Sequence, residues 1–193
     1  MIKDTDISLL YLTGHHGAGK SELSRYLVTK YRFGAVETGA MVRDLYGIRS
    51  SEYKNLSLGE FVVEIEAKFP GYFSIELASM VRSTVAEDGI PVIINGMRSY
   101  QYISELSERM KPHISKILWT EAPEKTLRKR YNTREGKNLS IVEFNNLMQF
   151  DIRLGISVIR DHADAVISNI GTIDAFRKRV ENELCAWGLL GIR

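Results

Sequence analysis

Residues 14–21 read Gly-His-His-Gly-Ala-Gly-Lys-Ser, and these residue types at this spacing suit one kind of chemistry: gripping a chain of phosphates. Gly14, Gly17 and Gly19 let successive backbone N–H groups curl toward phosphate oxygens, while His15, His16 and Ala18 fill positions where the main chain does the binding. Lys20 would reach the β- and γ-phosphates, and the Ser21 hydroxyl would ligate Mg²⁺. Such a loop needs a strand leading in and a helix leading out, with the positive end of the helix dipole facing the anion.

Three later stretches carry the remaining candidates. Residues 37–43 read Glu-Thr-Gly-Ala-Met-Val-Arg, residues 95–98 read Asn-Gly-Met-Arg, and Arg128, Arg130 and Arg134 share one helical segment. Arg43, Arg98, Arg130 and Arg134 together suit a reaction that spreads negative charge over two phosphate groups, because arginine offers a permanent charge and a bidentate fork. Phosphoryl transfer is catalysed mainly by positioning and charge stabilisation, the two things such groups supply. The plainer alternative is that these arginines are solvated or paired with Glu121, Glu124 or Glu135. Arg153, Gln149 and Asp151 read equally well as helix-surface polarity.

The elements that must position these residues alternate along the chain. The apolar run 7–12 predicts a first strand, and Leu23, Tyr26 and Leu27 give residues 20–30 a helical face. Strands are expected at 34–37, 91–94, 116–119 and 165–168. Helices are expected from Thr38 to near Gly47, at 57–69 behind the Ser57-x-x-Glu60 capping box, and from Ile75 to a stop at Asp88-Gly89. Others are expected at 99–110, 123–133, 141–160 and 173–187, with residues 48–56 left as a loop. This alternation predicts a single three-layer α/β/α domain spanning 1–193, with a five-stranded parallel sheet and its ligands at the carboxyl ends of the strands. Residues 38–88 would form an acceptor-binding helical region, and about 134–145 a short lid.

Several of these motifs resemble known enzymes. Residues 38–43 are similar to the Thr-Gly-Asp-Met-Leu-Arg segment of adenylate kinases, residues 95–98 resemble their Asp-Gly-Phe-Pro-Arg segment, and Arg130 with Arg134 resembles the arginine pair at the base of that family's lid. Residues 163–169, Ala-Asp-Ala-Val-Ile-Ser-Asn, with Arg134-Glu135-Gly136 upstream, are similar to dephospho-CoA kinases and to archaeal proteins related to adenylate kinase. The resemblance implies a P-loop kinase-like fold and transfer of a phosphoryl group from Mg-ATP to a nucleoside monophosphate or similar nucleotide. Arg43, Arg98 and Thr38 would then hold the acceptor, Arg130 and Arg134 would close over the ATP phosphates, and the loop from Asn169 would lie beside the adenine. Asn95 and Ala40 stand where the family has carboxylates, so Asn95 would meet the metal only through water, and Glu37 is the nearby carboxylate that could substitute. A dephospho-CoA kinase-like enzyme is the nearest rival, and a nucleotide-binding regulatory module with little catalysis is the reading from another class.

Composition bounds the rest. A chain of 193 residues, 44% hydrophobic, supports one domain with a real core, and 26 basic against 24 acidic residues give a net charge of +2, which offers no electrostatic case for nucleic acid. No apolar run approaches a membrane span and the N-terminus lacks the pattern of a secretion signal. The single cysteine, Cys185, reads as an inert helix residue. The expectation is a cytoplasmic protein that binds small nucleotides and no membrane, as a monomer or homodimer.

Overall fold

The computed structural model describes residues 8–85, 90–111 and 114–190. Five strands, β1 (Ser8–Thr13), β2 (Gly34–Glu37), β3 (Val92–Asn95), β4 (Ile114–Glu121) and β5 (Ala165–Ser168), form one sheet in the order β2-β3-β1-β4-β5 with every pairing parallel. The five-stranded parallel sheet read from the sequence is thus present. The first residue of the expected first strand, Ile7, and the expected helix stop at Asp88-Gly89 lie outside the described residues.

The central strand shows why the sheet is covered on both sides. Leu9 and Tyr11 point into one core with Val92, Ile94, Ile117 and Trp119, whereas Leu10 and Leu12 point into another with Ile93 and Leu118. All four β1 residues are fully buried, as expected of a parallel strand with no solvent face. The first core is roofed by α4 (Leu58–Lys68), α5 (Tyr72–Thr84), α6 (Tyr100–Met110) and α9 (Ile156–Asp161), and the second by α1 (Lys20–Tyr31) and α10 (Ile173–Ala186). A small third core joins Ala18 to Leu127, Tyr131 and Phe144, so α7 (Glu124–Glu135) and α8 (Ile141–Arg153) rest directly on the loop after β1.

Some boundaries differ from the sequence reading, each for a local reason. Residues 48–56 contain a one-turn helix, α3 (Ser50–Tyr53), after α2 (Thr38–Ile48). The expected helix 141–160 breaks at Gly155, whose φ of 92° no helix accommodates, into α8 and α9. Helix α7 runs on to Glu135, and only residues 136–140 connect it to α8, which starts on a complete Ser140/Glu143 capping box. Ile75 and Ile173 at the helix starts are 50% and 40% exposed, whereas Phe73 and Phe176 are buried. The Ser57/Glu60 capping box forms as read.

Phe176 is fully buried in the second core and lies beneath Gly19, so it supports both the sheet and the loop. Phe176→Ala is expected to lower unfolding stability by about 3–5 kcal/mol. Denaturant unfolding measures this, and a loss under 1 kcal/mol would show that the residue is not part of that core.

Candidate active site

All five candidate segments emerge from the same edge of the sheet, because parallel strands place all their carboxyl ends together. The loop 14–19 follows β1 and is pressed from three sides. A Cβ at Gly17 would collide with the Leu127 carbonyl of α7, and one at Gly19 with the Asn169 side chain after β5, and both glycines have positive φ, 79° and 100°. Lys20, at the start of α1, folds its Nζ back to donate to the carbonyls of Gly14 at 2.7 Å and His15 at 2.9 Å. Burial and the Arg98 charge push its pKa well below the ordinary lysine value, so an arriving anion meets a poorly solvated cation. Ser21 lies exposed in the first turn of the same helix.

Arg98 follows β3 and reaches this loop. Its Nη1 donates to Asp151 Oδ2 at 2.5 Å, and its Nη2 lies 3.2 Å from Nε2 of His16. His16 Nε2 is itself 3.4 Å from the same carboxylate oxygen, and its ring meets Tyr131 edge-on. Burial first, then the Arg98 and Lys20 charges, hold His16 down to about 2 and His15 down to about 4, so both rings are neutral near pH 7. Asp151 is pushed upward by burial, against the pull of Arg98 and Lys20. Arg134 pairs with Glu135 at 2.7 Å over the Tyr131 ring, yet it stands close enough for its charge to depress Lys20 and Arg98.

A second cluster sits one strand over. Register pairs Glu37 with Asn95, and Asn95 Nδ2 donates to both Glu37 carboxylate oxygens at 2.8 and 2.7 Å. Ser24 of α1 also donates to Glu37, at 3.4 Å. Ser24 and Ser21 are three apart on one helix face, so the Glu37 carboxylate stands beside the face that carries the Ser21 hydroxyl. Asn95 Oδ1 is buried and has no hydrogen-bond partner among the described residues, which leaves an acceptor open to a metal-bound water. Thr38 is buried with its hydroxyl spent on the Asn95 carbonyl at 3.0 Å.

Asn169 after β5 ties three pieces together. Its Nδ2 donates to the Ala18 carbonyl at 2.9 Å, its N–H to Glu121, and its carbonyl accepts from Arg130 at 3.4 Å. Arg130 Nη1 is buried and has no hydrogen-bond partner among the described residues. Arg128 is occupied by the Leu139 carbonyl at 3.1 Å. The structure therefore gathers Lys20, His16, Arg98 and Arg134 around one point, with Arg130 and Asn169 against the loop. Arg43 is different: it is exposed on α2 and its guanidinium folds back over Gly39.

No protein-family model matches the sequence, and no curated protein matches it. Solved structures do. A sugar kinase from Janibacter sp. HTCC2649 is similar over 96% of this chain and 99% of its own, at 16% identity and a TM-score of 0.63. A shikimate kinase from Bacteroides thetaiotaomicron matches over 92% and 98%, at 16% identity and 0.54. A gluconokinase from Sinorhizobium meliloti 1021 matches over 94% and 98%, at 13% identity and 0.52. The chain has the fold that these three kinases share. At these identities the likeness shows the fold alone.

The sequence left Asp151 open between a polar contact near the lid and helix-surface polarity, and its pairing with Arg98 was not read. The available signal was its register: Phe144, Leu147 and Asp151 repeat at three and four residues, which puts the carboxylate on the apolar stripe of α8. A charge in that position is buried and needs a partner.

Because His16 is held neutral in the fold and titrates near 6.5 when unfolded, the unfolded chain binds more protons as pH falls below 6.5, and stability is lost in that direction. His16→Gln is expected to flatten the rise of unfolding stability between about pH 4 and 6.5. Urea midpoints measured across that range check it, and an unchanged slope would mean that the ring is not held neutral.

Proposed function

We propose that the protein transfers the γ-phosphoryl group of Mg-ATP to a phosphorylated nucleotide acceptor, a nucleoside monophosphate or a molecule of similar size. The observation that supports this reading is the approach of Arg98, which follows a separate strand, to the Lys20 loop, where its guanidinium would meet an acceptor's phosphate. Residues 14–21 would bind the triphosphate, with main-chain amides from Gly14 to Gly19 and the Lys20 ammonium. Arg130 and Arg134 would brace the phosphates from α7, and Asn169 would hold the loop beside the base. Arg98, with Arg43 and the wall formed by Thr38, would hold the acceptor. The donor set around Ser21 suits a hard divalent cation: a hydroxyl, the Asn95 amide oxygen and the Glu37 carboxylate. Bound there mainly through phosphates, Mg²⁺ would neutralise charge on the transferring group.

The hydrogen bonding also revises what Asn95 implies. A carboxylate at position 95 in place of the amide would face Glu37 and repel it. Glu37 supplies the charge that Asn95 lacks, and Asn95 orients it. A hydroxyl acceptor, as in the dephospho-CoA kinase-like reading, draws support from the same exposed carboxylate, which could accept the hydroxyl proton.

Incubation with Mg-ATP and all common nucleoside monophosphates, their deoxy forms and dephospho-CoA, with Lys20→Ala as control, is expected to give a new nucleoside diphosphate only with the intact chain. Arg98→Ala should leave ATP affinity within about twofold while lowering kcat/KM for the acceptor by about 10²–10³. Equal activity in Arg98→Ala and the parent chain would remove Arg98 from the acceptor site. A second pair of variants tests the metal side: Asn95→Asp and Glu37→Gln should each lower the Mg²⁺-dependent rate, and a faster Asn95→Asp enzyme would place the metal against position 95 directly.

A further inference from the structure

The acceptor side of the site is already filled by a carboxylate of the chain itself. Asp151 is 4% exposed at its side chain and sits on Arg98 at 2.5 Å, the distance of a strong charge-assisted hydrogen bond. Its neighbour Phe150 lies so close to Gly59, in the first turn of α4, that a Cβ on that glycine would collide with the ring. Adjacent residues of α8 thus hold Arg98 on one side and the acceptor-side helices on the other. Helix α8 ends at Arg153, two residues before Gly155, where a Cβ would meet open space, while α9 beyond it packs on β4 and α6. The break separates the helix that bears Asp151 from the one fixed to the sheet.

We propose that Asp151 selects the acceptor: its carboxylate holds the place on Arg98 that the acceptor's phosphate takes, so that only a ligand bearing a dianionic phosphate displaces it, and α8 moves off α4 as it does. This rests on the reading of Arg98 as the acceptor's anchor. The chemistry favours the exchange in one direction. A phosphate offers three oxygens and nearly two charges to a guanidinium fork, against one charge from the carboxylate. A neutral hydroxyl compound, or water, offers no charge and leaves the pair closed. Burial works against the carboxylate's charge in the closed pair, which lowers the cost of displacing it. His16, which touches both partners, is held neutral beside the pair and adds no competing charge to it.

The test uses inorganic phosphate as the probe, titrated calorimetrically into the full chain saturated with Mg²⁺ and a non-hydrolysable ATP analogue, which keeps the probe out of the Lys20 loop. If Arg98 is free of Asp151 for a tenth of the time or less, removing the competing charge raises apparent phosphate affinity by about tenfold or more. Asp151→Asn is therefore expected to bind phosphate at least about tenfold more tightly than the parent chain, and the gain should vanish in the Arg98→Gln/Asp151→Asn double variant. Unchanged or weaker binding by a folded Asp151→Asn protein, or a gain that survives loss of Arg98, overturns the proposal. If that variant does not fold, crystals of the parent chain soaked in phosphate decide the matter. Phosphate on Arg98 with Asp151 turned away supports it, and phosphate elsewhere with the ion pair intact overturns it. Failure of the kinase reading shows separately, as absence of product in turnover, which these binding measurements do not require.

Discussion

The structure depends on a backbone turn with no room for a side chain at Gly14, Gly17 or Gly19. The loop after β1 is pressed by β4, α7 and the segment after β5. Gly14 lies against Thr120, Gly17 against Leu127, and Gly19 against Asn169. Each contact comes from a different element, so the sheet order, the docking of α7 and the reach of Asn169 all converge on the shape of one short loop. Fully buried Ala18 continues the same packing into the third core, which makes α7 and α8 extensions of the loop rather than independent appendages.

That arrangement explains the unusual charge balance of the site. Lys20 is bound to carbonyls of its own loop, Arg130 leaves one guanidinium nitrogen without a partner, and Arg98 is neutralised by Asp151. Poorly solvated cations that have only dipoles for company are receptive to phosphate, since the cost of their burial is met before any ligand arrives. The two cations are held differently: Lys20 is left to main-chain oxygens, whereas Arg98 has a counter-ion from α8.

Much of this was legible in the sequence wherever a local rule governs. The loop 14–21 announces itself through glycine spacing and flanking periodicity, the capping box at Ser57 marks a real helix start, and the apolar runs 7–12 and 91–94 read as strands, of which residues 9–12 and 92–94 are buried. What could not be read depends on pairing across the sheet or between helices. The bidentate hold of Asn95 on Glu37 follows from a β2–β3 register that no local pattern encodes. Asp151 meets Arg98 across 53 positions of sequence, and the break at Gly155 is a single glycine inside an otherwise helical run. Arg43 is the opposite case: its motif resembles a functional one, yet its side chain lies exposed over Gly39.

On the proposed function, two phosphate-bearing ligands meet end to end between Lys20 and Arg98. Dinucleoside polyphosphates, with adenosine at one end, each common nucleoside at the other and five phosphates between, measure this directly by titration in the presence of Mg²⁺. Affinity for one of them at least about 100-fold above that for ATP alone is the predicted result, because one molecule then occupies both halves and the second binding event becomes intramolecular. Affinity no greater than that of ATP across the whole series would show that the space beside Arg98 does not receive an acceptor.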